Sequence, residues 1–239
     1  MARITTGARY VAAGVGLAAV GYATWAGLAW CRYGKPSKAE GDTADPLLDR
    51  FMPDFDVVER HHIGIDAPAD VVLAAAKEQD LNGSSVIRAI FKARALVMGA
   101  TGAEMPGRGL LSQMQAMGWG VLADTPGEIV LGAVTRPWEA DVVFKALSPE
   151  TFAAFNEPGY VKIVWSLRAD PLALDQSTFR TETRARATDP SARTKFRRYW
   201  ALTSAGIALI RLLSLQPLKV DAERRWHEAT RAGEPMMVG

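Results

Sequence analysis

Few side chains in this sequence could do chemistry. His61 and His62 are two of its three histidines, with His227 as the third. Adjacent residues of a strand point to opposite faces, so the pair makes a poor metal site. A buried His61 could act as a general acid or base near neutral pH. Its competing role is that of a strand histidine satisfied by ordinary hydrogen bonds. Cys31 is the only cysteine, which excludes an internal disulfide and a multi-cysteine metal centre. No G-x-S-x-G, phosphate-loop or H-E-x-x-H pattern occurs. Gly14-Val15-Gly16-Leu17-Ala18-Ala19 fits the dinucleotide fingerprint G-x-G-x-x-A, but a basic stretch precedes it instead of a strand, so it reads as a decoy. Residues 99–109, with Gly102, Pro106, Gly107 and Arg108, match no phosphate-binding spacing and read as a flexible loop. No catalytic residues, metal ligands or cofactor are therefore assigned.

The elements that must position any site are easier to read. Residues 10–30 form an uncharged apolar run of 21 residues, flanked by Arg3, Arg9, Arg32 and Lys35. At about 1.5 Å per residue it gives a helix roughly 30 Å long, the thickness of a bilayer core. An uncleaved membrane anchor is the expectation, with a cleaved signal peptide as the competitor, since the run is rich in Gly and Ala. Basic residues on the two flanks nearly balance, so no orientation is assigned. A single-pass protein of a bacterial cytoplasmic membrane is expected. The net charge of +2 gives no electrostatic case for nucleic acid. Residues 31–46 read as a polar linker, 47–218 as one folded domain and 219–239 as a polar tail; oligomeric state is left open.

Within the domain, residues 55–65 read as a strand. Pro68 opens a helix carrying Val71, Val72, Ala75 and Ala76, and a second helical segment begins after Ser84. Asp124-Thr125-Pro126-Gly127 separates two apolar strand segments as a hairpin turn. Ser148-Pro149-Glu150 opens a short helix. Val161, Ile163, Trp165 and Leu167 alternate with Lys162, Val164, Ser166 and Arg168; Phe179, Thr181, Thr183 and Ala185 alternate with Arg180, Glu182, Arg184 and Arg186. This period of two predicts an antiparallel sheet with one face on a core and the other in water. Asp189 and Pro190 open a long helix with a wide apolar face through Phe196, Trp200, Ile207 and Ile210. Arg211 interrupts its uncharged stretch, which is too short to cross a bilayer. The basic residues Arg193, Lys195, Arg197 and Arg198 spread around its first turns as a solvated surface, or alternatively meet anionic lipid headgroups.

The segment His62-Ile63-Gly64-Ile65-Asp66-Ala67-Pro68-Ala69-Asp70-Val71-Val72, the pair Asp189-Pro190 and the order of elements together resemble the START-like, or SRPBCC, superfamily. The resemblance covers roughly residues 55–218, and the anchor and a Gly-containing insertion at 98–118 depart from it. It implies an α+β helix-grip fold, in which a curved antiparallel sheet wraps around the long C-terminal helix and encloses a cavity for an apolar molecule. Small and mildly polar residues on one face of the second alternating strand leave volume there, and the candidate ligand-binding residues are Trp165, Phe179, Thr181, Thr183, Trp200 and Gly206. A tightly filled core is the plainer account of the same residues. The implied function is membrane-anchored binding or transfer of a hydrophobic small molecule or lipid. The alternatives are a polyketide cyclase or aromatase-type enzyme using His61, and a non-catalytic interaction module with a filled core.

Overall fold

The structure is a computed structural model and describes residues 6–99, 107 and 109–233. Most of the glycine-bearing loop expected at 99–109 lies outside the described residues. The fold is α+β: a six-stranded antiparallel sheet, a long C-terminal helix and an N-terminal apolar helix.

Helix α1 spans Thr6–Arg32, followed by a 3-10 turn at Gly41–Thr43 and the short α2, Pro46–Asp49. Strand β1 is Val57–Ile65 and leads into α3, Ala69–Glu78. After it come α4, Ser85–Met98, and α5, Leu110–Ala116. Strands β2, Gly120–Asp124, and β3, Glu128–Thr135, form the expected hairpin, and β4 is the two-residue Phe144–Lys145. Helix α6, Pro149–Ala154, precedes the long hairpin of β5, Val161–Ala173, and β6, Gln176–Ala187. Helix α7, Pro190–Gly233, closes the chain's described part.

Local chemistry sets several of these boundaries. The side chains of Asp45, Ser84 and Ser148 accept hydrogen bonds from the backbone N–H groups of Leu48, Ile87 and Thr151, capping α2, α4 and α6. Asp189 does the same for α7, accepting from the N–H groups of Ser191 and Ala192 at 2.8 and 3.1 Å. Gly99 ends α4 in the left-handed conformation at φ 71°.

The sheet order is β1-β6-β5-β3-β2, with β4 on β3. Its inner face carries Ile129, Leu131, Trp165, Leu167 and Phe179, buried against α3, α5 and the lower face of α7. The outer face corrects the expectation of a sheet wet on one side. There Val130, Val134 and Val164 are covered by Leu48, Phe51, Met52, Phe55 and Phe152. A Cβ at Gly132 would run into Leu122 and stand 3.2 Å from Phe152, so glycine is what lets α6 sit this close. Arg184 and Glu182, expected in water, are only 2% and 7% exposed. The cover comes from residues 45–56, which lie mostly in the stretch before the first strand, where no local pattern announces a partner.

Two further expectations are modified. Helix α7 runs through residues 219–233, read from the sequence as a polar tail, and Ala222 there is buried. The segment 31–46 is tied to the fold at Tyr33, which is buried with Val57, Phe196 and Trp200.

The two apolar helices meet. Tyr22 donates its hydroxyl hydrogen to the carbonyl of Leu202, and Trp25 Nε1 donates to Ser204 Oγ at 3.0 Å. Arg197 donates to the Trp30 carbonyl and lies 4.1 Å over the Trp30 ring. Both helices are long and apolar enough to cross a membrane, but α7 is partly buried in the fold whereas Gly14–Arg32 is not. Val15, Leu17 and Val20 of α1 are exposed, and α7 also exposes Leu202, Leu209 and Leu212. Three of the basic residues at the start of α7 are engaged: beside Arg197, Arg193 pairs with Asp56 at 2.9 Å and Lys195 lies over the Trp138 ring.

Candidate functional site

Strand register assembles the site. Trp165 on β5 stands opposite Thr183 on β6, which stands opposite Glu59 on β1. The next row is Leu167, Thr181 and His61. Both rows share the inner face, because residues two apart on a strand project to the same side. Helix α7 lies above them, and Arg211 descends from it between the rows.

The Arg211 guanidinium carbon stacks 3.5 Å from the Trp165 ring centroid, and its Nη2 donates to Thr183 Oγ1 at 3.2 Å. Trp165 Nε1 donates to Thr181 Oγ1 at 2.6 Å, and that hydroxyl donates onward to the Ser166 carbonyl at 3.0 Å. Burial pushes the Arg211 guanidinium down to about 9, opposed by the field of Glu59, so it remains charged at neutral pH. Glu59 turns toward the edge strand's own His61, whose Nε2 lies 3.6 Å from its carboxylate. That nitrogen is buried and has no hydrogen-bond partner among the described residues.

A cavity of about 10 Å³ lies beside this cluster. Its wall includes Gln79, Thr181, Ser214 and Arg211 on the polar side and Leu81, Leu110, Phe179 and Ile210 on the apolar side. That volume suits one water molecule. No cluster of three or more His, Cys, Asp or Glu that could hold a metal occurs among the described residues.

Of the residues singled out in the sequence, Trp165, Phe179 and Thr181 line the cavity and Thr183 binds the arginine above it. Trp200 lies elsewhere, packed on Phe196 at 6.0 Å in the cluster around Tyr33. Gly206 faces α4, where an added Cβ would stand 3.2 Å from Ile90 Cγ2. Arg211 and Glu59 were missed. The signal for Arg211 was its spacing: with Ser204, Ala208, Leu215 and Leu218 it continues the buried stripe of α7 at helical intervals.

Comparison with known proteins leaves the family open. No family model matches the chain, and no curated protein does. Solved structures with some likeness include a hypothetical protein of Helicobacter pylori, at 8% identity and a TM-score of 0.34, covering 80% of this chain and 99% of that one. A di-domain aromatase/cyclase, BexL, has 13% identity and a TM-score of 0.24, covering 67% of this chain and 46% of its own. An aromatase/cyclase of a Streptomyces species has 14% identity and a TM-score of 0.22, covering 71% and 94%. At such identities and TM-scores these likenesses carry no functional argument.

Proposed function

We propose that this chain is a membrane-tethered helix-grip protein that binds or transfers a hydrophobic small molecule or lipid between α7 and the inner face of the sheet. The observation that supports it best is the attachment of α1 to α7. The apolar helix suited to a bilayer is hydrogen-bonded, through Tyr22 and Trp25, to the helix that roofs the interior. A tether joined to the roof would hold the interior beside the membrane, where apolar molecules are found; the tether is read here as a single pass through a bacterial cytoplasmic membrane.

Ligand pockets occupy about 300 Å³ or more, so the interior of about 10 Å³ has to widen. The seam between α4 and α7 is the place for this: α4 packs on α7 through contacts such as Ile90 against Gly206, and opening it would expose the side of the cavity at Ile210. Native mass spectrometry of the full chain, extracted from membranes in detergent, tests the proposal. A retained, stoichiometric apolar molecule is expected. No adduct, together with no uptake from an offered lipid extract, would overturn it in favour of a filled-core interaction module.

One observation favours a second reading, catalysis of the cyclase type. His61 faces the interior with an unpartnered Nε2 beside Glu59, an arrangement able to move a proton. Under that reading His61→Phe leaves binding intact and removes turnover of the bound molecule; equal turnover by the variant would sink it.

A further inference from the structure

We propose that Arg211 is the receptor for the anionic head, a carboxylate, of the apolar molecule; this rests on the ligand-binding reading above. Charges inside proteins are ordinarily paired, because an isolated one forfeits its hydration without recovering it. Arg211 makes no ion pair among the described residues: its polar contact is the neutral hydroxyl of Thr183, and its face is held against Trp165. A guanidinium carries five N–H donors in a planar fork, and most of this fork is unused. Glu59, the acid whose field reaches it, is directed to His61 instead.

What surrounds the fork narrows the chemistry. The adjoining cavity has room for a group of about the size of a water molecule, and Thr181, Ser214 and Gln79 lie on its wall. A carboxylate is planar, matches the fork with two parallel hydrogen bonds and fits a narrow space better than a tetrahedral phosphate. Trp165, stacked on the guanidinium, fixes the plane in which those bonds form. Immediately beyond, Leu81, Leu110, Phe179 and Ile210 supply an apolar wall for the body of the molecule. The combination describes a monocarboxylic acid with a hydrophobic body, of which a fatty acid is the simplest example.

The test uses the full chain in phosphatidylcholine nanodiscs, with empty nanodiscs as the blank, and compares binding of labelled palmitate, hexadecanol and lysophosphatidate. Palmitate is expected to bind about tenfold tighter than hexadecanol or more, the usual worth of a charge-assisted pair. Arg211→Gln is expected to erase that margin while leaving hexadecanol binding in place. Equal binding of palmitate and hexadecanol to the unaltered protein would overturn the head-group assignment and leave the ligand-binding reading standing. Preference for lysophosphatidate would overturn the carboxylate in favour of a phosphate. Retention of none of the three above the blank would overturn both readings. The comparison among ligands on the unaltered protein does not depend on the variant folding.

Discussion

Arg184 and Arg211 are both drawn into the protein, on opposite faces of one sheet, and they are treated in opposite ways. Under the outer cover, Arg184 Nε donates to Glu182 at 2.6 Å, its Nη1 donates to Asp49 and to the Met52 carbonyl, and its guanidinium lies 4.7 Å from the Phe55 ring centroid. Glu182 is held from its other side by Arg60 at 2.8 and 2.9 Å. Hydrogen bonds to Glu182 and Asp49 raise the Arg184 pKa in spite of burial. Under α7, Arg211 has Thr183 and Trp165 and no carboxylate partner among the described residues. A charge whose donors are satisfied holds an element in place. One whose donors are spare is a cost to the fold that a bound partner can offset, and functional sites are where such costs are found.

Breaking the outer network should have the largest effect. Arg184→Ala leaves Glu182 and Asp49 short of a partner and is expected to cost about 3–5 kcal/mol, read as a lowered melting temperature in detergent. A change below about 1 kcal/mol would mean that the cover formed by residues 45–56 is not held by this network.

Where the same cover meets β3 lies a second buried pair, Asp45 with Glu128. Burial first, and then Asp45, push the Glu128 carboxyl up to about 9 from an ordinary 4.5. The folded state therefore holds this proton more tightly than the unfolded chain. Its contribution to stability is fully present below pH about 4.5 and is lost as pH rises through about 9. Glu128→Gln keeps a neutral group there and should flatten the decline, melting higher than the unaltered protein at the alkaline end of that window. An unchanged pH profile would remove Glu128 as the titrating group.

On the inner face the sign should reverse. Arg211→Met replaces an unpaired charge with an apolar chain of similar reach, and is expected to leave stability equal or raise it by about 1 kcal/mol. A loss of more than about 2 kcal/mol would show Arg211 to be structurally paired, and the contrast with Arg184 would collapse. The smallest effect concerns the roof. Trp25→Phe deletes the bond to Ser204 and should cost about 1 kcal/mol or less, while reducing disulfide crosslinking between cysteines introduced on α1 and α7.

Much of the fold was legible because it follows from local periodicity. The alternation through Trp165 and through Thr181 and Thr183 set the inner face of β5 and β6, and these residues do meet at the candidate site. Asp189 and Pro190 marked the start of α7. His61 and His62 were placed on opposite faces, and His61 is indeed the inward one, with His62 exposed. Arg211 was read only as an interruption of an apolar stretch, because a lone charge on a helix is usually solvated; the stripe from Ser204 to Leu218 that carries it inward spans several turns and becomes decisive only when the sheet is beneath it. Trp200 carried the same apolar signal as Trp165, yet it packs at the root of α1 instead of at the cavity.

The sequence by itself determined the apolar character and length of α1, the two-residue alternation of the strands and the long helix that follows them. Each of these is a property of neighbouring residues and of backbone geometry. Only the tertiary structure decided that much of the outer face of the sheet is covered as well as the inner one, that Arg184 is paired while Arg211 has no carboxylate partner among the described residues, and that α1 rests on α7. Alternation says that two faces differ without saying what covers either. Burial depends on residues far apart in the chain: Asp49 reaches Arg184 and Trp25 reaches Ser204 only after the whole chain has packed.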